Sequence, residues 1–134
     1  MTLTYDMARA CVAAAMAKAF EIGIAATIVV LDGGGHVKSL ARMDGAWLGS
    51  IDVAMKKAKT SVLFEMETQA IWEFSKPEAQ AHGLESTNGG LVTFAGGIPL
   101  KSSGGTLLGA LGVSGGQVAQ DLAIAEAGVA ACNF

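Results

Sequence analysis

The chain has 134 residues, of which 51% are hydrophobic and 16% charged, and its formal net charge is −3 at pH 7. Intrinsic disorder is excluded, because it requires low hydrophobicity and high charge. An acidic chain without clustered basic residues lacks the electrostatic footprint of a nucleic-acid-binding protein, and no apolar run reaches the roughly 18 residues of a membrane span. We expect a single domain over residues 1–134 and, since no leader peptide is visible, a cytoplasmic protein without nucleic acid or membrane as a partner.

Hydrophobic periodicity and glycine-rich turns predict four helices and five strands. The first helix has Thr4 as its N-cap and Gly23 as its C-terminal stop, and the first strand is buried on both faces. Because hairpins dominate and strands do not alternate singly with helices, the sheet is predicted to be antiparallel, with helices against it. In chain order the predicted elements are a helix over 4–22, strands over 25–31 and 36–43, helices over 50–64 and 65–74, strands over 91–94, 98–100 and 106–113, and a helix over 117–131.

Two details of the core are predicted from the same patterns. The inward stripe of the second helix is expected to consist of Ile51, Met55, Ala58 and Val62. Two cysteines near opposite ends of the chain form neither a disulfide framework nor a zinc-binding spacing, so we interpret both as small core residues.

Four residues are candidates for catalysis. His36 follows three glycines at a hairpin turn, where a histidine serves as a proton carrier, an axial ligand or simple polar surface. Arg42 and Asp44 end the second strand, where they either hold an anionic ligand at a pocket mouth or pin the turn as an ion pair. Lys57, on the second helix, is a further proton carrier. No His-x-x-x-His or Cys-x-x-Cys spacing occurs, so no metal site is predicted.

Glycine-rich segments in the second half supply candidate ligand-binding residues. The run that begins at Gly96 lacks the Lys-Ser/Thr ending of a phosphate-binding loop. Ser114 stands at a strand-to-helix junction, where backbone amides could bind a carboxylate or phosphate, and it is more readily an N-cap than a nucleophile. Asp121 is favoured in the first turns of the last helix by the helix dipole. The candidate ligand-binding residues are Gly96, Gly97, Pro99, Ser114, Gly115 and Asp121.

Five motifs occur in a fixed order along almost the whole chain, with Asp121 and Gly128 after them. They are Asp32-Gly33-Gly34-Gly35-His36, Arg42-Met43-Asp44-Gly45-Ala46, Lys57-Ala58-x-Thr60, Gly96-Gly97-Ile98-Pro99 and Gly109-Ala110-Leu111-Gly112-Val113-Ser114-Gly115. In this order they resemble the GlcG/HbpS-like, or haem-degrading, domain, which also forms the C-terminal half of some PduO-type corrinoid adenosyltransferases. The resemblance implies an α+β fold of three layers, a central antiparallel sheet flanked by helices, similar to profilin-like and sensor-type folds.

The resemblance also implies haem as a candidate cofactor and a homo-oligomer, from a dimer up to an octamer. Some relatives bind haem through a histidine on the first helix. Here that helix carries Arg9, Cys11 and Lys18 instead, so no clear axial ligand is identified. The remaining candidates for iron ligation are His36, His82, Cys11, Cys132, Tyr5 and the six methionines.

Three functional hypotheses follow. The first is an oligomeric protein that binds a small molecule, with haem or a related tetrapyrrole as the ligand. The second is an isomerase, hydratase, dehydratase or lyase of small-molecule catabolism acting on an anionic oxo-acid or aromatic-derived substrate. In it, Arg42 holds the carboxylate, backbone amides stabilise an enolate, and Asp44, His36 or Lys57 moves the proton. The third is a structural or sensory partner of an enzyme encoded in the same operon.

The charge distribution independently predicts self-association. Between residues 86 and 120 the only charged side chain is Lys101. Such a surface would leave an apolar patch larger than monomers usually expose. We therefore expect a closed homo-oligomer built on the C-terminal sheet region, with ligand pockets near the interface lined by Arg42, Asp44 and the Gly96-Gly97 turn.

Overall fold

The computed structural model describes residues 2–132, and no helix in that range is long and apolar enough to cross a membrane. Its elements are α1 (Tyr5–Glu21), β1 (Thr27–Asp32), β2 (Val37–Arg42), α2 (Gly49–Phe64), α3 (Thr68–Ser75), a 3-10 turn (Leu84–Ser86), β3 (Gly97–Lys101), β4 (Leu107–Ser114) and α4 (Val118–Ala130).

The four strands form one antiparallel sheet in the order β2-β1-β4-β3. Successive residues of β1 point to opposite faces, so Ile28 and Val30 join the core against α1 and α4, while Val29 and Leu31 face α2. Helices therefore cover both faces of the sheet, and the predicted α+β fold with a central antiparallel sheet is confirmed.

The ends of α1 follow local chemistry. The hydroxyl of Thr4 accepts a hydrogen bond from the backbone N–H of Met7 at 3.1 Å, which satisfies one of the free amides of the first turn. Glu21 is the last residue of the helix and Ile22 its C-cap, and the next residue, Gly23, has the positive φ of 74° that is typical of a helix stop. Both predicted ends of this helix are confirmed.

The strand predicted over residues 91–94 does not form. This segment runs beside α2, and the backbone N–H of Val92 donates to the side-chain hydroxyl of Thr60 at 3.1 Å. Because a helix side chain satisfies this buried amide, the segment needs no neighbouring strand. Its β-branched and aromatic residues are typical of a strand, and this made the prediction wrong.

The inward face of α2 also differs from the predicted stripe. Ile51 is exposed, and the buried residues of the helix are Ser50, Ala54, Lys57, Ala58, Thr60, Ser61 and Val62. The helix lies close to β4, where a Cβ on Gly112 would meet the side chain of Ala58 at 3.1 Å. Of the predicted stripe, Ala58 and Val62 are buried, Met55 packs against them and only Ile51 is exposed. Because the close approach of helix and sheet selects small side chains, the inward face also includes small and polar residues that apolar periodicity did not identify.

Cys11 and Cys132 form a disulfide that links α1 to the residues after α4, with a Cα–Cα distance of 5.8 Å. Cys11 is fully buried, as expected of a core residue, but the interpretation of the two cysteines as unpaired is wrong. The pairing follows from the packing of α1 against α4, and the partners are 121 positions apart in the sequence.

Candidate functional site

A cleft of about 630 Å³ opens where the N-terminal ends of α2 and α4 approach the end of β4. Trp47, Phe94 and Val118 contribute its apolar walls, residues 114–116 lie at the strand end, and Asp121 is the ionisable residue of the lining. We call this cavity the α2–α4 cleft. Its volume lies within the range of about 300–1,000 Å³ typical of small-molecule sites.

A buried ion pair lies beneath the α2–α4 cleft. Lys57 has no exposed side-chain surface, and its Nζ donates to the backbone carbonyl of Val113 at 2.8 Å and to Oδ2 of Asp121 at 3.1 Å. The other carboxylate oxygen, Oδ1, accepts the backbone N–H of Gly116 at 2.8 Å. The ammonium also lies 5.1 Å from the ring centroid of Phe94, within the range of a cation–π contact.

Two opposing effects act on the lysine. Burial lowers the pKa of the Lys57 ammonium, and the neighbouring Asp121 carboxylate partly opposes this shift. The two charges compensate each other, while the N-terminal ends of α2 and α4 add partial positive charge. The cleft therefore has an acceptor oxygen at its floor without a free negative charge.

Gly96 and Gly97 make room for this ion pair. Gly96 has a φ of 130°, and a Cβ there would lie 2.6 Å from Nζ of Lys57. The N–H of Gly97 donates to the hydroxyl of Thr68 at 3.0 Å, and that hydroxyl donates to the carbonyl of Phe94 at 2.6 Å. These contacts place the two glycines behind the cleft wall, against α2.

The structure brings some of the sequence-predicted residues together. Ser114, Gly115 and Asp121 line the α2–α4 cleft, and Lys57 lies beneath it. Pro99 lies in the edge strand β3, paired with Ala110 of β4.

Arg42, Asp44 and His36 lie elsewhere. Arg42 and Asp44 border a surface depression of about 270 Å³ together with Met16, Phe20 and Met43, which we call the α1–β2 depression. Within residues 2–132 no ion pair joins this arginine to this aspartate. The four residues proposed as one catalytic set thus share no common cavity.

His36 occupies the tip of the β1–β2 hairpin. Its side chain is 83% exposed, and its Nδ1 lies 3.5 Å from Oδ1 of Asp32. The same Oδ1 accepts the backbone N–H groups of Gly34 and His36, and the His36 bond is the main reason that the pKa of Asp32 is lowered. The histidine therefore takes part in closing the turn.

The candidate site residues predicted from the sequence did not include the aromatic residues of either cavity. Trp47 is 83% exposed, and Phe20 is 69% exposed. An exposed tryptophan in a short loop is itself a signal of a binding surface. Phe94 was assigned to a strand that does not form, and it borders the α2–α4 cleft instead.

Comparison with known proteins identifies the family. The model of the family described as "Haem degrading protein HbpS-like" matches residues 3–130. The chain therefore belongs to the HbpS-like family, and the predicted resemblance is confirmed.

Similar proteins share most of this chain. An uncharacterised 15.0 kDa protein from the dhaT-dhaS intergenic region of Citrobacter freundii is 38% identical over 93% of this chain and 88% of its own length. The corrinoid adenosyltransferase PduO of the same organism is 39% identical over 99% of this chain, which spans only 40% of that enzyme. The crystal structure of a PduOC:heme complex superposes with a TM-score of 0.94 at 35% identity, covering 99% of this chain and 96% of that one.

Proposed function

We propose that this chain is a haem-binding protein and that haem lies on the α1–β2 depression. The observation that carries the proposal is the meeting of three complementary side chains there, the thioether of Met16, the exposed ring of Phe20 and the guanidinium of Arg42. The haem complex of a relative that is 35% identical supports the same ligand.

Each of these side chains suits one part of haem. A methionine sulfur is an established axial ligand of haem iron. An aromatic ring covers part of the apolar face of a macrocycle, and an arginine pairs with a carboxylate in a bidentate geometry that a haem propionate can adopt. The depression thus offers an iron ligand, an apolar contact and an anion partner.

The other candidate ligands are less suitable. Cys11 and Cys132 are bonded to each other. The Nδ1 of His82 lies 3.0 Å from the carbonyl of Ser75, which leaves only Nε2 for a metal. The Nδ1 of His36 lies 3.5 Å from Oδ1 of Asp32, so this ring takes part in closing the hairpin turn. Met16 and Met43 both border the depression, but Met43 is buried and its sulfur accepts the backbone N–H of Ala26 at 3.5 Å, so Met16 is the ligand that we propose.

A second copy of the chain completes the site in this proposal. The α1–β2 depression has a volume of about 270 Å³, below the usual range of small-molecule sites. One copy therefore covers only one face of a haem, and the same depression on a symmetry-related copy would cover the other. This pairing would use the edge of the sheet formed by β2, whereas the sparse charge of the chain predicts self-association through the C-terminal sheet region, which includes the opposite edge strand β3.

Haemin titration of the purified protein, followed by the Soret band, tests the proposal. We expect saturable binding, weaker binding by Met16→Ala, and tighter binding by Met16→His, because imidazole is a stronger ligand than a thioether. His36→Ala and His82→Ala are the matched controls and should bind as the wild type does. The proposal is wrong if no Soret shift occurs, or if only a histidine variant loses it.

Light scattering in the same titration tests the assembly. We expect a particle of at least two chains, with about one haem for two copies. A 13.6 kDa particle that binds one haem per chain would contradict the shared site.

A further inference from the structure

We infer that the α2–α4 cleft is a second binding site, separate from the α1–β2 depression, and that it takes a small phenolic compound. The ring of such a compound would lie between Trp47 and Phe94, with its hydroxyl group donating to Asp121. The two cavities share none of their lining residues, so this inference stands independently of the proposed haem site.

The floor of the cleft has unused hydrogen-bonding capacity. An ionised carboxylate offers about four acceptor positions, and Asp121 uses one on each oxygen, for Gly116 and for Lys57. Its side chain is only 5% exposed, and it borders the cleft. A ligand without a hydrogen-bond donor would cover the Asp121 carboxylate when it enters the cleft, and part of the hydrogen-bonding capacity of that carboxylate would stay unsatisfied.

The charges around the floor favour an uncharged donor. A ligand carboxylate at this point would face the Asp121 carboxylate. A ligand ammonium would share that carboxylate with Nζ of Lys57, already 3.1 Å from it, and would meet the positive ends of two helices. A hydroxyl group avoids both repulsions and still donates, and the hydroxyl of Ser114 on the lining is available as its second partner.

The walls favour a flat apolar body. Trp47 is 83% exposed, and Phe94 and Val118 are about half exposed, all three bordering the cleft. Covering such surface is favourable in proportion to its area, and aromatic pairs add a geometric preference of their own. A ring with one hydroxyl group matches both the walls and the floor.

Four probes with the same ring test the inference without any variant. Phenol, toluene, benzoate and benzylammonium differ mainly in the group that would reach Asp121, and saturation-transfer NMR detects even millimolar binding. We expect phenol to bind at least about tenfold more tightly than each of the others, a difference of about 1.4 kcal/mol. Equal binding of toluene, a preference for benzoate or benzylammonium, or no binding of phenol would overturn the inference.

Variants then locate the site. Trp47→Ala should weaken phenol binding about tenfold. Trp72 is also exposed but lies outside the cleft, so Trp72→Ala is the matched control and should leave phenol binding unchanged. Met16→Ala should bind phenol as the wild type does, which separates failure of this inference from failure of the haem proposal. Phenol binding that is insensitive to Trp47→Ala would place the ligand elsewhere and contradict the assignment.

Discussion

Replacing Asp121 by asparagine should strongly destabilise the protein. The substitution preserves shape, and the amide oxygen can still accept the N–H of Gly116, but Lys57 loses its counter-charge while it remains fully buried. Removing one partner of a buried ion pair costs about 3–5 kcal/mol, out of a total of about 5–15 kcal/mol. For 134 residues, each kcal/mol corresponds to about 3–4 °C, so we expect Tm to fall by roughly 10–20 °C.

The double variant Lys57→Met/Asp121→Asn separates lost charge pairing from lost packing. It removes both charges and nearly preserves volume, so it should recover about 2–3 kcal/mol relative to Asp121→Asn in urea unfolding. Asp52→Asn is the matched control, because its pair with Lys56 at 3.2 Å is solvent-exposed and should contribute less than about 1 kcal/mol. The reasoning fails if Asp121→Asn costs less than about 1 kcal/mol, or if the double variant is no more stable than the single one.

The pH dependence of these variants reports on the same lysine. Burial lowers the pKa of Lys57 in the folded state below its usual value of 10.5. Between the folded-state pKa and 10.5 the unfolded chain therefore binds more protons than the folded one, and the free energy of unfolding rises with pH. Asp121→Asn removes the carboxylate that opposes this shift and should extend the rise to lower pH. Between pH 7 and 10, the single variant should gain stability relative to the double variant. If the stability difference between the two variants stays constant or falls over this pH range, the conclusion that Lys57 is buried with a lowered pKa is wrong.

Three further changes test the packing around the site and between the chain ends. Gly96→Ala should cost about 2–4 kcal/mol in urea unfolding, because its Cβ would overlap the buried ammonium at a positive φ, whereas Gly104→Ala, with no neighbour nearer than 3.9 Å, should be almost neutral. Thr68→Val should cost about 1–3 kcal/mol, since it leaves a backbone amide and a carbonyl without their partner. Reductant should lower Tm by opening the Cys11–Cys132 disulfide, which joins residues 121 positions apart and contributes up to about 5 kcal/mol. The Tm of Cys132→Ser, which lacks this disulfide, should not respond to reductant. If Gly96→Ala or Thr68→Val is as stable as the wild type, the contact argued for that residue is refuted. A wild-type Tm that does not change with reductant would refute the disulfide.

Local signals in the sequence were sufficient for much of the fold. The N-cap at Thr4, the stop at Gly23 and the buried β1 strand all depend on residues within a few positions of each other. The antiparallel arrangement follows from the hairpins in the same way. The five motifs also led to the HbpS-like family, which the comparison with known proteins confirmed.

The tertiary structure alone decided which of the candidate residues meet. Lys57 and Asp121 are 64 residues apart, and they form a pair because α2 and α4 both begin near the end of β4. The sequence grouped Lys57 with Arg42 as catalytic, whereas the fold places them at different cavities. Such contacts cannot be predicted from spacing along the chain, because they depend on how closely small residues let the helices approach the sheet. The face of α2, the course of residues 91–94 and the pairing of the cysteines were decided by that packing.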